Sequence, residues 1–521
     1  MIFTSPFPKV VVPEVDFTSF VLAKAEQLGN KPALVESLSG QSITYTDLYD
    51  KILRVAAGLR TSGLGKGDVL ALLLPNLSEF AIAFHAAAVL GAAVTTVNPL
   101  WNKEELCHQL FDSGADFLIT VPELKAKIDD PDLKARLKAI FIIGGESVSD
   151  SFEHLYDHPR LEDFPKIDPI NDLVALPYSS GTTGTSKGVM LTHYNLVANL
   201  CQMEVTEHIR DSDVLLCVLP LFHIYGLVVI LNMGLRAGAT IVMMKHFDME
   251  HMLDAIEKHK VTFAHLVPPI VLALARQARV EHRNLSTLRA IMSAAAPLSA
   301  DLAGDCSAKL GCIVKQGWGM TETSPAVTMT EPVPGRTRDG SVGRPIPNTE
   351  LKVIDLETGD ELGVDQQGEL LVRGPQVMKG YLNRPEATAQ LIDADGWLRT
   401  GDIGYADSEG FFFIVDRAKE LIKYKGFQVA PAELEAILLT HPCVADAAVI
   451  PLPDEEAGEI PKAFIVLKEI VTEQELIEYV SNRVARYKRV RVIEFIEQIP
   501  KSASGKILRR TLVARERAKL A

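Results

Sequence analysis

The sequence predicts an α/β protein: a large N-terminal domain of two helix-covered, mostly parallel sheets plus a small β-barrel-like unit, and a small, mobile α+β C-terminal domain. Helical and strand patterns alternate through most of the first four hundred residues, which is typical of parallel sheets covered by helices. From residue 350, short strands separated by Gly and Asp turns predict the β-rich unit. About one hundred residues after position 416 carry a separate α+β pattern, long enough to fold as a domain.

The alternation begins with an amphipathic helix. Apolar residues recur at helical spacing over residues 47–64, and the pattern stops at Gly63 and Gly65. A buried strand at 68–74, a helix at 80–90 and a strand at 92–97 are expected next. Further along, the chain shows apolar runs typical of short strands at 214–218, 240–244 and 262–266, separated by helices such as 249–259.

The β-rich unit is expected to contain strands at 350–355, 368–373 and 410–415. The domain boundary is expected at residues 416–419, so that 1–416 form the large domain and 417–521 the small one. Within the small domain, the pattern predicts helices at 431–439 and 473–485 and strands at 444–450 and 463–467.

The composition excludes several classes of protein. With 521 residues, 47% hydrophobic and 23% charged, the chain is neither disordered nor collagen-like. A formal net charge of −14 argues against a protein that mainly coats nucleic acid. The C-terminal end differs, because residues 486–521 contain eleven Lys and Arg and three Glu, a local charge of +8. This basic end requires an explanation.

The cysteines and the apolar stretches indicate a cytoplasmic protein. None of the six cysteines forms a Cys-x-x-Cys pair or a zinc-ligand spacing, so free thiols in a reducing compartment are expected. Residues 1–9 lack the pattern of a secretory signal, and the final Ala-Lys-Leu-Ala ends one residue too late for a peroxisomal tripeptide. The apolar stretches 80–97 and 215–235 are interrupted by His85 and Pro220 and do not predict membrane spans.

The most informative segment is residues 178–190, YSSGTTGTSKGVM. Gly181 and Gly184 allow backbone N–H groups to curl around an anion, and Lys187 adds a positive charge. Further donors come from the hydroxyls of Ser179, Ser180, Thr182 and Thr183. The segment is not a Walker A loop, because Gly188 follows the lysine where that motif has Ser or Thr. A hydroxyl-rich surface loop is the alternative, but the buried strand before the segment favours a triphosphate site.

Two further segments combine glycine with aromatic and polar residues. Residues 219–226, LPLFHIYG, place His223 in a bend where it can face a cavity, although a buried core histidine is the alternative. Residues 316–322, QGWGMTE, offer Trp318 to stack on a purine and Glu322 to hold Mg²⁺ on phosphate oxygens. A strand, a turn and a capping Thr-Glu pair is the alternative for that segment. Residues 293–297, SAAAP, are small enough for a ligand to lie against the backbone.

Charged residues cluster around the predicted boundary. Residues 396–402, GWLRTGD, place Asp402 after a glycine, where it suits ribose hydroxyls. Lys419, Lys423 and Lys425 surround the boundary, and Lys506 ends the flexible segment KSASGK at 501–506. A solvated side chain is the ordinary interpretation of any one lysine. In a chain with a phosphate loop, Lys506 is better interpreted as a mobile cation that meets charge developing in a transition state.

In this order, the segments resemble the adenylate-forming superfamily, which includes 4-coumarate–CoA ligases, fatty acyl-CoA ligases and beetle luciferases. The motif-like segments are 178–190, 317–322, 396–402, 416–433 and 499–510, and the similarity covers nearly the whole chain. Residues 419–435, KELIKYKGFQVAPAELE, are particularly similar to 4-coumarate–CoA ligases. The resemblance implies an AMP-forming acid–thiol ligase. A carboxylate attacks the α-phosphorus of ATP to give acyl-AMP and pyrophosphate, and the thiol of coenzyme A then expels AMP.

The resemblance also implies which residues bind ATP, Mg²⁺ and coenzyme A. The β- and γ-phosphates are expected to contact Ser179, Ser180, Gly181, Thr182, Thr183, Gly184 and Lys187. Thr321 and Glu322 are expected to meet the α-phosphate and Mg²⁺, and Asp402 and Arg417 to hold the ribose. The nucleotide is also expected to lie against Gln316, Gly317 and Trp318.

The resemblance assigns the C-terminal domain two successive roles. Lys506 is expected to stabilise the adenylation transition state. After rotation about a hinge at Lys419, Lys423 is expected to serve thioester formation, with Lys425 and Gly426 near coenzyme A. The local charge of +8 is then explained, because this domain binds polyphosphates in turn.

The acyl pocket is expected to be formed by His223, Tyr225, Ala294, Ala295, Gln316, Gly317, Met329 and Gln428. The sequence departs from the family in that Ala294-Ala-Ala296 replaces a frequent Gly-Gly-Ala and Trp318 a frequent Tyr, which predicts a narrower pocket. At a position where many relatives carry a basic residue for coenzyme A, the chain has His246 beside Lys245.

The expected substrate is a 4-coumarate-like aryl-propenoic acid or a medium-chain fatty acid. An adenylating enzyme with another acceptor, either a carrier-protein thiol or oxygen as in luciferases, is one alternative. A catalytically silent nucleotide-binding or scaffold protein is the other. No nucleic-acid partner is expected, and both a monomer and a homodimer remain open.

Overall fold

The computed structural model describes residues 1–145, 150–179, 186–333, 335–425, 427–454, 456–502 and 505–520. Strands of the described residues form four sheets. Two of them are large and mostly parallel, the third is antiparallel, and the fourth lies in the C-terminal part of the chain. The predicted α/β class is therefore confirmed.

The first large sheet has five adjacent parallel strands and an antiparallel edge. In spatial order its strands are Gly380–Tyr381, Lys187–Thr192, Leu173–Ala175, Ala93–Thr96, Val69–Leu73, Phe117–Thr120 and Ala139–Ile142, with Tyr178–Ser179 paired to Lys187–Thr192. The parallel strands are apolar along most of their length because helices cover both faces.

The second large sheet has six adjacent parallel strands. In spatial order its strands are Arg344–Pro345, Ala326–Met329, Ile313–Gly319, Ala290–Ser293, Phe263–Leu266, Val214–Cys217, Thr240–Met243, Pro32–Glu36 and Ser42–Thr44. The carboxyl ends of neighbouring parallel strands meet at one edge, which brings Ser293 beside Gln316.

The two smaller sheets complete the architecture. The antiparallel sheet contains Ile2–Thr4, Glu350–Ile354, Gly368–Arg373, Leu398–Ala406 and Phe412–Arg417. The C-terminal sheet contains Phe427–Val429, Ile422–Tyr424, Gly458–Leu467 and Val444–Asp454, with Val492–Phe495 paired to Gly458–Leu467. The C-terminal sheet packs on its own hydrophobic core, which includes Leu434, Val449 and Ile465.

Helices cover these sheets. The α-helices are Phe17–Val21, Ala25–Leu28, Tyr45–Thr61, Ser78–Val89, Lys103–Ser113, Pro131–Arg136, His193–Glu207, Met233–Ala237, Met249–His259, Pro268–Arg276, Ala300–Leu310, Pro385–Leu391, Pro431–Leu439, Glu473–Ser481 and Arg509–Leu520. Tyr225–Asn232 forms a π-helix. Short 3₁₀ turns lie at Pro122–Ile128, Glu153–Asp157, Ala278–His282, Thr321–Thr323 and Arg486–Lys488. Among the described residues, no helix has both the length and the apolar character needed to cross a membrane.

Element boundaries differ from the predicted ones where a cap or a hairpin decides them. The helix expected at 47–64 spans Tyr45–Thr61, because the Thr44 hydroxyl accepts the Asp47 N–H at 3.1 Å and caps the helix. The strands expected at 444–450 and 463–467 extend to Val444–Asp454 and Gly458–Leu467, since they pair as one hairpin up to Asp454 and Gly458.

Candidate active site

Most of the residues predicted to bind ligands lie around one cavity of about 1810 Å³. The cavity lies between the two large sheets, the antiparallel sheet and the C-terminal part of the chain. Its lining includes Ser179, Lys187, His223, Tyr225, Ala294, Ala295, Gly317, Trp318, Thr321, Glu322, Met329, Asp402, Arg417, Lys419 and Lys506. Segments more than three hundred residues apart in sequence therefore meet here.

Other predicted residues do not line this cavity. Gln316 is buried in its strand, while Lys423, Lys425 and Gln428 are exposed on the C-terminal sheet. Lys425 pairs with Glu456. The predicted residues Ser180, Gly181, Thr182, Thr183, Gly184 and Gly426 lie outside the described residues.

Glu322 lines the cavity from the short turn that follows the strand Ile313–Gly319. Its Oε1 atom accepts hydrogen bonds from the Ser179 hydroxyl at 2.8 Å and from the Tyr381 hydroxyl at 2.7 Å. Among the described residues, Oε2 has no hydrogen-bond donor, so that oxygen is available to a ligand in the cavity. Lys187 lies nearby, with Nζ 4.9 Å from the centroid of the Tyr381 ring.

Asp402 provides a second carboxylate. Its Oδ2 atom accepts a hydrogen bond from the indole N–H of Trp318 at 2.8 Å, and Arg417 Nε lies 3.6 Å from Oδ1. Burial raises the pKa of Asp402, while the Arg417 charge and the Trp318 hydrogen bond act in the opposite direction. Trp318 and Arg417 thus favour the ionised form that would accept hydrogen bonds from two hydroxyls.

Lys506 enters the same cavity from the C-terminal part of the chain. The backbone around it is closed by two hydrogen bonds with Ser502, at 2.8 Å and 3.1 Å. Its neighbour Gly505 has a φ of +77°, and a Cβ atom there would lie 3.3 Å from Val267 and 3.5 Å from Pro269. Lys506 thus follows a glycine that packs against the large domain. Desolvation and the Arg417 charge lower the pKa of Lys506, although Asp402 and Glu322 partly oppose that change.

Lys419 lines the cavity beside Arg417. Its pKa is lowered to about 8, by desolvation first and then by the neighbouring Arg417 charge. Asp416, three residues earlier, accepts the backbone N–H of Ala432 at 2.9 Å and so connects the end of the antiparallel sheet to the helix Pro431–Leu439.

His223 and Tyr225 form one wall of the cavity. The Nδ1 atom of His223 accepts the backbone N–H of Tyr225 at 3.2 Å. Burial and the nearby Lys506 charge lower the pKa of His223 to about 3, so the imidazole is neutral at pH 7. The bend at residues 219–226 requires Gly226, because its backbone packs against the backbone of Pro220. A Cβ atom at position 226 would be 2.2 Å from the Pro220 carbonyl oxygen. The prediction that His223 faces a cavity is consistent with this geometry.

The floor of the cavity is apolar. The Tyr225 hydroxyl donates to the Met292 carbonyl at 3.2 Å, and Gly317 pairs with Met329 in the antiparallel edge of the second sheet. A Cβ atom at position 317 would lie 2.3 Å from Cε of Met292 and 3.0 Å from the Thr328 carbonyl oxygen, so a larger residue there would require the Met292 side chain to move. Ala295 has a φ of +73°, a left-handed conformation that favours glycine.

A buried ion pair that sequence reasoning missed lies behind this floor. Lys315 Nζ and Glu207 Oε2 are 3.0 Å apart, and both side chains are fully buried. His265 Nε2 lies 3.9 Å from the same carboxylate, and burial lowers the pKa of this histidine to about 4. Thr206, which precedes Glu207 in the chain, donates a hydrogen bond from its hydroxyl to Met329 Sδ at 3.3 Å. The ion pair therefore contacts the cavity floor through one intervening residue.

Tyr381 and Asp112 were also missed. The Tyr178 hydroxyl donates to Asp112 at 2.8 Å, and Arg384 lies 3.1 Å from the other oxygen of that carboxylate. The Gly380–Tyr381 dipeptide near the start of a helix gave no chemical signal in the sequence, because its partners lie far away along the chain.

Comparison with known families gives two matches that together span most of the chain. Residues 21–382 match the AMP-binding enzyme family, and residues 433–506 match the AMP-binding enzyme C-terminal domain.

Individual relatives are similar over their whole length. The chain is 45% identical to 4-coumarate–CoA ligase 5 of Oryza sativa subsp. japonica over 535 residues, which cover 100% of this chain and 97% of that protein. It is 44% identical to 4-coumarate-CoA ligase 1 of Narcissus pseudonarcissus, with 99% and 96% covered. Among solved structures, an anthranilate CoA ligase in complex with anthranoyl-AMP has a TM-score of 0.90 at 28% identity, with 98% of this chain and 99% of that chain covered. The o-succinylbenzoate CoA synthetase of Bacillus subtilis in complex with its acyl-adenylate intermediate has a TM-score of 0.82 at 31% identity, with 96% and 98% covered.

Proposed function

The chain belongs to the AMP-binding enzyme family, and from that membership we propose that it is an ATP-dependent carboxylate–CoA ligase. The carboxylate of the substrate attacks the α-phosphorus of ATP, which gives acyl-AMP and pyrophosphate. The sulfur of coenzyme A then attacks the acyl carbon, AMP leaves, and the thiol proton passes to solvent. The observation that carries the proposal is that Lys506, Glu322 and Asp402 line one cavity. The relatives reported above are CoA ligases, so acceptors other than coenzyme A are not favoured.

ATP binds between the first large sheet and the antiparallel sheet. Ser179 and Lys187 flank the glycine- and hydroxyl-rich segment at 180–185, and we assign this segment to the β- and γ-phosphates. Asp402 and Arg417 hold the ribose, with Trp318 against the nucleotide. The hydrogen bond from Trp318 and the Arg417 charge support this assignment, because both favour an ionised Asp402.

The residues present fit a Mg²⁺ ion that is shared with the nucleotide. No group of three or more His, Cys, Asp or Glu side chains that could hold a metal occurs among the described residues. Mg²⁺ usually binds through one or two carboxylates plus substrate phosphates, so a single carboxylate with an available oxygen suffices. Glu322 is that carboxylate, with Thr321 beside it. When bound, the ion neutralises charge on the phosphate oxygens.

Lys506 stabilises the adenylation transition state. A cation in a cavity of low dielectric constant interacts strongly with the negative charge that develops on the phosphoryl oxygens and the substrate carboxylate. Desolvation lowers the pKa of Lys506, and an ammonium group that is poorly solvated gains more from a bound anion. Asp402 and Glu322 act in the opposite direction on this pKa and so favour the charged form of Lys506.

Thioester formation requires the C-terminal domain, residues 417–521, to rotate about a hinge at Lys419. In the present arrangement Lys506 lies in the cavity, while Lys423, Lys425 and Gln428 are exposed on the C-terminal sheet. We propose that rotation exchanges Lys506 for Lys423 and brings Lys425 and Gly426 to coenzyme A. His246 and Lys245 are exposed residues of the large domain, and we propose them as candidates to bind the phosphates of coenzyme A.

The acyl group of the substrate is bound by His223, Tyr225, Ala294, Ala295, Gly317 and Met329. We propose an aryl-propenoic acid or a medium-chain fatty acid as the substrate, because the floor is apolar and the Tyr225 hydroxyl is already bonded to a backbone carbonyl. Gln316 and Gln428 do not line this cavity in the present arrangement.

We also propose a cytoplasmic location. All six cysteines are free, and four of them are buried, which suits a reducing compartment that supplies ATP and coenzyme A.

A panel of carboxylic acids tests the proposed function. Purified protein is incubated with ATP, Mg²⁺, coenzyme A and each acid, and AMP and thioester are quantified. Equal amounts of AMP and thioester are expected with at least one aryl-propenoic or medium-chain acid. Pyrophosphate exchange into ATP without any thioester would contradict the coenzyme A acceptor, and the absence of both activities would contradict the proposal as a whole.

A further inference from the structure

Tyr381 connects two parts of the candidate ATP site that carry opposite charge. Its hydroxyl donates to Glu322 Oε1 at 2.7 Å, and its ring lies under Lys187, with Nζ 4.9 Å from the centroid. Glu322 therefore contacts the hydroxyl of this buried side chain, and the Lys187 ammonium lies over the face of its ring. Among the described residues, neither Lys187 nor Glu322 forms an ion pair.

The hydroxyl end fixes the orientation of the Glu322 carboxylate. Two donors, Ser179 and Tyr381, converge on Oε1, while the Glu322 backbone carbonyl accepts the Met378 N–H at 2.9 Å. A carboxylate that is held at one oxygen and at its backbone presents the other oxygen in a fixed direction. Oε2 is thus directed to a ligand in the cavity.

The ring end is held by the sheet. Tyr381 pairs with Val189 in the strand that begins with Lys187, and Leu382 donates its N–H to the Gly188 carbonyl at 2.9 Å. The Tyr381 N–H donates to the Thr388 hydroxyl at 2.9 Å, and a Cβ atom at Gly380 would lie 2.8 Å from Thr388. The backbone leaves the ring little freedom to move.

We propose that Tyr381 is a positioning residue of the ATP site, an inference that rests on the proposed function. Its hydroxyl orients Glu322 toward the metal ion, and its ring keeps the Lys187 ammonium from pairing with the Glu322 carboxylate while the site is empty. If Lys187 and Glu322 formed an ion pair, the cation would be less available to the phosphates and the carboxylate less available to the metal ion. An aromatic face attracts the ammonium without neutralising it.

Binding of ATP, measured by calorimetry with Mg²⁺ and with a chelator, tests the hydroxyl without requiring catalysis. Tyr381→Phe keeps the ring and removes the hydrogen bond. We expect affinity for ATP with Mg²⁺ to fall about tenfold, the usual effect of one hydrogen bond to a charged acceptor, and affinity without metal to change less than about threefold. Equal affinities of the variant and the wild type under both conditions would overturn the orienting role.

Tyr178→Phe is the matched control. Tyr178 lies on the neighbouring short strand, and its hydroxyl also donates to a carboxylate, Asp112, at 2.8 Å. That carboxylate is not Glu322, so the ratio of the two ATP affinities should stay at the wild-type value. A loss of the metal effect in both variants would indicate a general disturbance of the strand pair and would contradict a specific role of Tyr381.

Removal of the ring tests the separation of charges. Tyr381→Leu is expected to weaken ATP binding about tenfold even without metal, because Lys187 then pairs with Glu322. Adding Glu322→Gln to Tyr381→Leu should restore metal-free affinity to within about threefold of the wild type, since the lysine is released. If the metal-free affinity for ATP does not recover in the double variant, the proposal that the Tyr381 ring keeps Lys187 apart from Glu322 is overturned.

Thermal unfolding of each variant separates binding effects from folding. If Tyr381→Leu fails to fold, Tyr381→Phe decides the proposal, because its side chain differs by one oxygen atom. A wild-type protein that binds no ATP under either condition would contradict the proposed function itself. A wild type with a clear metal effect and a Tyr381→Phe variant that matches it would contradict only the role of Tyr381.

Discussion

The indole nitrogen of Trp318 lies 2.8 Å from Oδ2 of Asp402. Trp318 lies in a strand of the second large sheet and Asp402 lies in the antiparallel sheet, so this hydrogen bond joins two units across the candidate nucleotide site. Aromatic residues near nucleotides are usually considered as stacking surfaces, but here the polar edge of the ring is engaged.

Trp318→Phe should therefore weaken ATP binding. The change removes the N–H group that donates to the Asp402 carboxylate, whose ionised form burial already disfavours. A hydrogen bond to a charged group is worth about 1.5–3 kcal/mol. We expect the KM for ATP to rise about tenfold in steady-state assays, with little change in kcat. The KM for coenzyme A is the internal control and should not change. An unaltered KM for ATP would show that the hydrogen bond does not support nucleotide binding.

Lys506→Ala and Lys423→Ala should damage different half-reactions. Lys506→Ala should slow acyl-AMP formation at least about a hundredfold, because a preorganised charge opposite the transition state is lost, but it should leave thioester formation from supplied acyl-AMP nearly intact. Lys423→Ala should do the reverse. Pyrophosphate exchange and single-turnover thioester formation measure the two steps. Lys468→Ala, a change of an exposed lysine in the same domain, is the control. Loss of the same half-reaction in both variants would contradict the rotating domain.

Ala295→Gly should stabilise the protein and widen the acyl pocket. At a φ of +73°, alanine costs about 1–2 kcal/mol relative to glycine, partly offset by the greater freedom of glycine in the unfolded chain. We expect the free energy of unfolding to rise by about 0.5–1 kcal/mol, and kcat/KM for bulky ring-substituted acids to rise about tenfold.

Ala294→Gly separates these two effects. It also removes a methyl group from the cavity lining, but Ala294 is not among the residues with positive φ. This variant should lose about 0.5–1 kcal/mol of stability while showing a similar gain for bulky acids. Chemical denaturation and a substrate series measure the two properties. Equal stability changes in both variants would show that the conformation of Ala295 is not strained.

The buried pair of Lys315 and Glu207 should be sensitive to the loss of one partner. Lys315→Met leaves the Glu207 carboxylate buried without a counter-charge, which should lower the free energy of unfolding by about 3–5 kcal/mol. Glu207→Leu combined with Lys315→Met should recover most of that loss, since two apolar side chains need no partner. Urea denaturation gives both values. A double variant as unstable as the single one would show that the pair contributes through shape rather than charge.

His85 should make the protein sensitive to acid. Burial among aromatic rings lowers the pKa of His85 to about 4, from an ordinary value of 6.5. Between pH 4 and 6.5 the unfolded chain binds more protons at this position than the folded chain does. His85 therefore makes the free energy of unfolding rise with pH, and this stability is lost as the pH falls. In denaturation experiments on the His85→Gln variant, the free energy of unfolding should fall less steeply between pH 6.5 and 4.5 than in the wild type. His154→Gln, a change of an exposed histidine, should follow the wild-type curve.

The sequence alone predicts the layers of this fold because its strands and helices have distinct periodicities. The run VLALL at 69–73 can only be buried on both faces, and the helix Tyr45–Thr61 carries an apolar stripe that ends at glycine. The edge strand Ile2–Thr4 gave no such signal. It is three residues long and pairs with Glu350–Ile354, nearly 350 positions away, so its place depends on tertiary contacts alone.

The candidate site was predictable where one residue type suits one chemistry. Glycine- and hydroxyl-rich segments, Glu322, Asp402 and Lys506 were all identified in this way, and those that the structure describes line one cavity. Tyr381 and the pair of Lys315 and Glu207 were missed because their roles come from partners 59 and 108 residues away. The exposed position of Lys423 could not be anticipated either, since it depends on the orientation of a whole domain.

Gly505 packs against Val267 and Pro269, and the next residue along the chain is Lys506. The segment that packs against the large domain therefore also carries the lysine that lines the cavity. In the proposed rotation, this packing contact and the ammonium group would leave the cavity together. Under the proposed domain rotation, the acyl-AMP would stay covered for as long as Gly505 remains packed against the large domain, so the timing of that rotation would govern how much activated acid is lost to hydrolysis.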